Sequence, residues 1–219
     1  GNMLGALMPF LINAYIARYF GSEIFGRYSF VFAYLAFFMV ISVFGIDSIL
    51  VRELSRTEGK TNRLMSASLL LKLGASFIAT LLSITLIMIL PYSSSIRLAV
   101  VFASLALVFY SVGQTLSALF QSRLEMIYSS LATILSKLVF LGLTIYVVMS
   151  SGGFVKMVIA SSIAFIVQVG LMYLFARKRF SIVKTDAGLS RALFIESWPL
   201  ALVNLFIIFY YRIGVVMLS

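Results

Sequence analysis

The sequence predicts an all-α, polytopic transmembrane helical bundle, and three observations support that prediction. Of the 219 residues, 62% are hydrophobic and only 11% are charged, whereas a soluble domain has about 45–50% apolar and about 25% charged residues. The apolar residues form runs of roughly 20, the length that crosses about 30 Å of hydrocarbon as a helix. These runs lack the alternating pattern of a barrel strand, so helices alone can pair their backbone groups inside a membrane.

Seven runs have the length and composition of a membrane span. They are residues 2–20, 28–50, 64–90, 97–120, 127–149, 155–176 and 193–218. The connections are short, with a turn predicted at 21–26, a polar loop at 53–63 and the longest connector at 177–191. Because Ser219 ends the chain inside an apolar run, we expect the sequence to be part of a longer protein.

Lysine and arginine are divided unevenly between the loops. The loops after spans two, four and six hold ten of them: Arg52, Arg56, Lys60, Arg63, Arg123, Arg177, Lys178, Arg179, Lys184 and Arg191. The loops after spans one, three and five hold four: Arg18, Arg27, Arg97 and Lys156. Because cytoplasmic loops are enriched in basic residues, we expect the larger set and the N-terminus on the cytoplasmic side of the cell membrane. The net charge of +10 is then explained by the basic loops that set the membrane topology, and we expect no nucleic-acid partner.

Residue types that carry most enzymatic chemistry are scarce. The sequence has no cysteine, no histidine and seven acidic residues, which excludes disulfides and histidine-based catalytic or zinc sites. No two acids form a convincing acid/base pair, and no phosphate-binding glycine motif occurs. We therefore expect neither an enzyme nor a bound cofactor. Asp47 is the acid nearest a membrane span, and we expect it to pair with Arg52.

Three cations lie inside the predicted spans: Lys72, Lys137 and Arg212. An ionisable group there costs about 2.5–3.5 kcal/mol on insertion scales, so it usually faces a partner or a wet cavity. The alternative is snorkelling of the long side chain to the membrane interface. Lys137 lies deeper in its span than Lys72 does, and the cavity interpretation is favoured for Lys137 and Arg212.

Polar residues share helical faces with these cations. At 100° per residue, each of four spans carries one polar arc. The arcs are Ser130, Thr133, Lys137 and Thr144 on span five, Ser68, Lys72, Ser76, Thr80 and Ser83 on span three, Ser111, Gln114, Ser117 and Gln121 on span four, and Ser197, Asn204, Tyr211 and Arg212 on span seven. Hydroxyl stripes often serve only close helix packing. Cations and amides on inward faces also suit a hydrated cavity for an anionic or sugar-bearing ligand.

Two spans contain a proline followed by an asparagine. Pro9 and Asn13 lie in span one, and Pro199 and Asn204 lie in span seven. A proline inside a span frees a carbonyl and kinks the helix. The recurrence indicates that span seven begins a second structural repeat, as in many transporters.

Three segments carry a resemblance to a known family. Residues 17–29, ARYFGSEIFGRYS, resemble the junction after the first span of polysaccharide flippases, and residues 44–56, FGIDSILVRELSR, resemble the exit of their second span. Residues 210–219, YYRIGVVMLS, are similar to their seventh span, although Gly214 stands where many members have an aspartate. The family is that of the O-antigen (Wzx-type) flippases, within the multidrug/oligosaccharidyl-lipid/polysaccharide exporter superfamily.

The resemblance implies two six-helix lobes around a central cavity. Residues 1–176 would form the first lobe, 177–192 a cytoplasmic linker, and 193–219 the seventh span, which starts the second lobe. The implied substrate is a polyprenyl-diphosphate-linked oligosaccharide, moved to the outer leaflet of the lipid bilayer by alternating access, with a proton or sodium as coupling ion. Arg18 matches the family pattern and is expected to contact the diphosphate.

The remaining candidate substrate-binding residues come from the polar arcs and the helix breaks. They are Lys137, Arg212, Asn13, Lys72, Gln114, Gln121 and Asn204. Three other functions remain open at this point. A multidrug/toxin extrusion antiporter would need more acids in the first lobe, a membrane-embedded glycan polymerase or ligase would need a long outward loop and catalytic residues, and a non-transporting scaffold would leave Lys137 unexplained.

Overall fold

The computed structural model describes residues 2–56, 58–150 and 152–217, with side chains from Arg18 onward except at positions 58, 187, 205 and 208–217. No strand occurs among these residues, which confirms the predicted all-α fold. The α-helices are α1 (Asn2–Val43), α2 (Ile46–Arg56), α3 (Thr61–Ile89), α4 (Ser94–Ser122), α5 (Met126–Met149), α6 (Phe154–Ala176) and α7 (Ala187–Met217). A 3₁₀ turn, Glu58–Lys60, lies between α2 and α3.

In the described part of the chain, five helical segments are long and apolar enough to cross a membrane. They are Arg18–Val43, Thr61–Ile89, Ser94–Ser122, Met126–Met149 and Phe154–Ala176. They match the second to sixth predicted spans, so the protein is a multi-pass membrane protein. Many side chains of the predicted spans 2–20 and 193–218 lie outside the described residues, whereas the backbone there is helical in α1 and α7.

The predicted turn at 21–26 is narrower in the structure. Gly21 alone leaves the helical conformation, with φ 78° and ψ 170°, and the helix resumes directly after it. Glycine adopts a positive φ without the steric cost that a side chain brings. Glu23 and Arg27 then form an i,i+4 ion pair of 2.6 Å on the new helix. Helix α1 is therefore two helices joined at one residue.

The predicted span 28–50 and loop 53–63 were wrong in their boundaries. Helix α1 ends at Val43, and Phe44 and Gly45 turn the chain through the left-handed region with φ 51° and 67°. The chain then forms α2, in which the buried residues are Ile46, Ile49, Leu50 and Leu54. This spacing places the apolar residues on one face of an amphipathic helix. We call the junction of α1 and α2 the elbow.

Helix α4 lies at the centre of the bundle. It packs along α3 and α6, α5 packs mainly on α6, and α7 packs against α1, α2 and α3. Two large apolar clusters hold these helices together. The first includes Leu50, Met65, Leu119, Phe120 and Met172, and the second includes Leu35, Ile87, Val100, Leu107 and Val158.

The connector between α6 and α7 is tied to the rest of the lobe. Helix α7 begins at Ala187, six residues earlier than the predicted seventh span at 193. The backbone N–H of Ser181 donates to Asn62 Oδ1 at 3.0 Å, and that of Val183 donates to Ser66 Oγ at 3.0 Å. The extended segment therefore crosses the start of α3.

Arg179, in the same connector, joins the ends of three helices. Its guanidinium forms a 2.6 Å ion pair with Glu125 and lies 4.4 Å from the ring centre of Tyr128. The Glu125 carboxylate, followed by the Tyr128 side chain, raises the pKa of the Arg179 guanidinium. This cluster holds the connector against the bundle at the point where α4 ends and α5 begins.

Candidate functional site

The polar stripe of α3 is buried along its whole length. Ser68, Lys72, Ser76, Thr80 and Ser83 are each between 0% and 6% exposed. The far half of the stripe serves packing, because Thr80 donates to the Ser104 carbonyl at 3.1 Å and the Ser83 and Ser104 hydroxyls are 2.8 Å apart. Tyr34 of α1 also donates to the Ser83 carbonyl at 2.7 Å. For these residues the packing interpretation is the correct one.

Lys72, in the other half of the stripe, pairs with Asp47. The lysine side chain is completely buried, the aspartate side chain is 27% exposed, and the ammonium donates directly to the carboxylate. The expected pair between Asp47 and Arg52 is therefore wrong. Residues five apart lie about 140° from each other around a helix, so Asp47 faces α3 while Arg52 faces elsewhere.

Arg52 pairs with Glu196 of α7 instead. The two side chains are 2.6 Å apart, and Arg52 also contacts its neighbour Glu53 at 3.2 Å. About half of the Arg52 side chain is exposed to solvent in these pairs. The Glu196 carboxylate, and after it Glu53, raises the pKa of the Arg52 guanidinium. The arginine thus connects α2 to α7.

The elbow itself packs tightly against α7. Phe44 stacks on Phe194 with ring centres 4.9 Å apart. A Cβ atom on Gly45 would lie 2.9 Å from the backbone nitrogen of Ala201 and 3.1 Å from the Ser197 carbonyl oxygen. Glycine is therefore required at position 45 both by its positive φ and by the approach of the α7 backbone.

A cavity of about 210 Å³, lined by both polar and apolar side chains, lies between α4, α5 and α6. Its lining residues are Tyr110, Gly113, Gln114, Ser117, Ser129, Thr133, Phe165, Gln168, Val169 and Met172. Helices α4 and α5 each pack on α6 more than on each other, so α6 forms the floor and the other two form the walls. We call this space the α4–α6 cavity.

Two hydrogen bonds, one between α5 and α6 and one within α4, hold polar side chains of the α4–α6 cavity in place. The Gln168 amide nitrogen donates to the Thr133 hydroxyl at 3.0 Å, and the Gln114 amide nitrogen donates to the Tyr110 hydroxyl at 2.8 Å. Tyr110 and Phe165 meet edge to face with ring centres 6.3 Å apart. The walls thus combine amides, hydroxyls and aromatic rings.

Lys137 lies on the same helix as one wall of the α4–α6 cavity. It follows Thr133 by four residues, which is one helical turn and about 6 Å along the axis of α5. Its side chain is partly buried at the middle of the helix. A cation therefore lies close to a space with uncharged polar walls.

The structure does not bring all the sequence-predicted residues together. Gln114 lines the α4–α6 cavity, Lys72 lies at the elbow, and Gln121 is exposed at the end of α4. Arg18 and Asn204 are exposed. The side chains of Asn13 and Arg212 lie outside the described residues. Substrate binding by these residues stays a prediction.

Several residues of the α4–α6 cavity were not predicted from the sequence. Gln168 is not among the predicted residues, although an amide in an apolar span needs a hydrogen-bonding partner. Tyr110 and Phe165 are also absent from the predicted residues. An amide four residues after a tyrosine, as with Gln114 and Tyr110, was the available signal, because such a pair shares one helix face.

The fold and the cavity are those of a helical membrane protein with polar groups in its interior. Transporters belong to this class of protein. The family model described as polysaccharide biosynthesis protein matches residues 1–219. The chain belongs to this family, as the motifs of the first two spans predicted. No curated protein and no solved structure matches the chain significantly.

Proposed function

We propose that this protein moves a polyprenyl-diphosphate-linked oligosaccharide from the cytoplasmic to the outer leaflet of the cell membrane by alternating access. One observation carries the proposal, namely a cavity walled by amides and hydroxyls inside an apolar bundle, with Lys137 one turn away. Membership in the polysaccharide biosynthesis family supports the same function.

The three parts of such a substrate need three different environments. A sugar needs hydrogen-bonding groups, which the α4–α6 cavity supplies. A diphosphate needs cations, for which Lys137 is the best-placed described candidate, with Arg18 and Arg212 as further candidates. The prenyl chain can stay in the bilayer. The lobe would then rock against the second lobe that the family implies, driven by a proton or sodium.

Orientation follows from the distribution of charge. The ends of α4 and α6 and the start of α5 lie at the end of the bundle that carries ten basic residues, against four at the opposite end. With that end in the cytoplasm, the α4–α6 cavity lies in the cytoplasmic half of the lobe. Substrate would enter there because it is assembled on that side.

The structure does not favour the rival functions. An ion-coupled drug antiporter would need acidic residues in the first lobe to bind the coupling ion. Asp47 already forms an ion pair with the ammonium of Lys72. A glycan polymerase would need catalytic acids at the outer face, and Glu23, the acid described near that face, pairs with Arg27. We therefore propose a transporter and not an enzyme.

Complementation of a strain that lacks its polysaccharide flippase tests the proposal. The intact gene should restore surface glycan, and Lys137→Met should lower it about tenfold or more, since a charge-assisted hydrogen bond contributes about 1.5–3 kcal/mol. Lys156→Met, at the exposed start of α6, is the control and should restore glycan fully. Absence of restoration by the wild-type gene at normal expression would overturn the proposal.

A further inference from the structure

Two groups of three exposed cations lie at the same end of the bundle, and their surroundings differ. The first group, between α2 and α3, is Arg56, Lys60 and Arg63. The second group, where α4 and α6 end, is Arg123, Arg177 and Lys178. The exposed positions described in residues 55–63 hold serine, arginine, glycine, lysine and asparagine. The first group therefore faces water among polar neighbours.

Apolar side chains accompany the second group, on the turn between α4 and α5. Leu124 is 90% exposed, and Met126 and Ile127 are exposed after it. The backbone of Leu124 is in the left-handed region, with φ 57°, which has a steric cost for a residue with a side chain. Exposure of so much apolar surface to water is unfavourable, and lipid removes that cost.

The apolar turn continues the outer face of α5. Ile127, Leu131, Leu135 and Leu138 are all exposed, and their spacing of three or four residues places them on one side of the helix. Helix α5 is long and apolar enough to cross a membrane. Since lipid tails are as apolar as leucine, we expect acyl chains to lie along this side.

Helix α6 carries the residues of a membrane boundary at the same level. Tyr173 and Leu174 are exposed, and Arg177 and Lys178 follow them by four residues, which is about one helical turn. Tyrosine is enriched where a span meets water. Long basic side chains reach from that level toward the lipid phosphates. The boundary of the membrane therefore lies near the last turn of α6.

The cations of the two segments converge on one turn of the chain. The Arg123 guanidinium donates to the backbone carbonyl of Arg179 at 3.4 Å, next to Arg177 and Lys178 in sequence. The carboxylate at this turn, that of Glu125, is already paired with Arg179. In the part of the chain that the structure describes, the ion pairs include none of the other three cations. These three can therefore serve an external anion.

We propose that Arg123, Arg177 and Lys178 bind the headgroup of an anionic phospholipid, whose acyl chains lie over Leu124 and along the outer face of α5. Guanidinium and ammonium groups both bind phosphate, and basic residues beside a span attract anionic lipid. In the orientation proposed above, the lipid belongs to the cytoplasmic leaflet. The inference goes beyond the proposed function and does not depend on the substrate that is moved.

The test is lipid binding by the full-length protein in detergent micelles, measured by native mass spectrometry. The probes are dioleoyl phosphatidylglycerol and dioleoyl phosphatidylcholine, which have the same acyl chains. We expect the wild type to bind phosphatidylglycerol at least tenfold more tightly, because each basic residue near an anionic lipid contributes about fivefold in affinity. The triple variant Arg123→Gln, Arg177→Gln and Lys178→Gln should lose most of that preference.

The first group of cations supplies the matched control. The triple variant Arg56→Gln, Lys60→Gln and Arg63→Gln removes the same charge from the same end of the bundle and should keep the preference for phosphatidylglycerol. Both triple variants should keep the thermal midpoint of the wild type in lipid-free detergent, which shows that they are folded.

Leu124→Asn tests the apolar part of the site. Asparagine tolerates a positive φ better than leucine does, so the thermal midpoint should stay the same or rise. Both lipids should bind about threefold more weakly, because the acyl chains lose an apolar contact. Unchanged binding of both lipids by this variant would contradict the proposed position of the chains, whether or not the triple variants fold.

Three further outcomes would overturn the site. One is equal binding of the two lipids by the wild type. Another is an equal loss of preference in both triple variants, which would show attraction by net charge alone. The third is displacement of phosphatidylglycerol by a large excess of inorganic phosphate, which would assign the cations to a free anion. A failure of the proposed transport would leave the lipid site in place, since none of these residues has a role in transport.

Discussion

The elbow and the α4–α6 cavity both gather polar groups among apolar helices, but they satisfy those groups differently. At the elbow, Lys72 is enclosed and paired with Asp47, and Gly45 leaves no room for a single carbon atom beside α7. In the cavity, amides and hydroxyls surround about 210 Å³ of open space. A polar residue in a span therefore serves helix packing where the space beside it is filled, and it is available to a ligand where that space is open.

From this difference we predict that substitutions at the elbow lower the stability of the fold. The largest effect is expected for Asp47→Asn, which leaves the buried ammonium of Lys72 without a counter-charge. We expect a loss of about 3–5 kcal/mol in the free energy of unfolding in detergent micelles, measured by denaturant titration. Lys72→Met should cost less, about 2–3 kcal/mol, because Asp47 keeps some contact with solvent.

The double variant Asp47→Asn with Lys72→Met sharpens this prediction. It should recover most of the lost stability, because neither charge then remains buried alone. Glu23→Gln is the matched control, since it breaks the exposed pair with Arg27 and should cost less than about 1 kcal/mol. Additive losses in the double variant would contradict a coupled pair.

Gly45→Ala should have the next largest effect. The new Cβ would lie 2.9 Å from the Ala201 nitrogen, and the residue would keep a positive φ. Overpacking and backbone strain together predict a loss of about 2–4 kcal/mol, visible as a lower thermal midpoint in detergent. Gly74→Ala, where a Cβ meets nothing within 4 Å, should leave the midpoint unchanged or higher. Equal midpoints for the two variants would show that α7 does not pack on the elbow.

The smallest effect at the elbow is expected for Arg52→Ala. Its pair with Glu196 is about half exposed, so its removal should cost at most about 1 kcal/mol. That difference should vanish near 1 M salt, where the Debye length falls to about 3 Å. Unfolding titrations at low and high salt provide the measurement. A loss above about 2 kcal/mol at high salt would place this pair among the contacts that hold the elbow.

Much of the fold was predictable because hydropathy alone locates helices in a membrane. The boundaries near residue 44 were not, because an amphipathic helix, α2, follows the second span almost directly and extends its apolar pattern. Gly45 was the available signal. Its left-handed conformation and its contact with α7 depend on tertiary structure that the sequence does not display.

The candidate site was predictable only in part. Helical phase placed Gln114 and Thr133 on polar faces, and both line the α4–α6 cavity. The partner of Asp47 was mistaken because the nearest cation in sequence was chosen, whereas Lys72 comes from another helix 25 residues away. Gln168 was missed because the partner of a lone amide depends on how α5 and α6 pack.

The proposed function is movement of a glycolipid across the bilayer through the interior of this protein. Its most direct test is transbilayer movement of a polyprenyl-diphosphate-linked oligosaccharide in vesicles containing the full-length protein, followed by lectin binding at the opposite surface. We expect movement well above that of protein-free vesicles, and about tenfold slower movement for Lys137→Met. Movement no faster than in protein-free vesicles would contradict it.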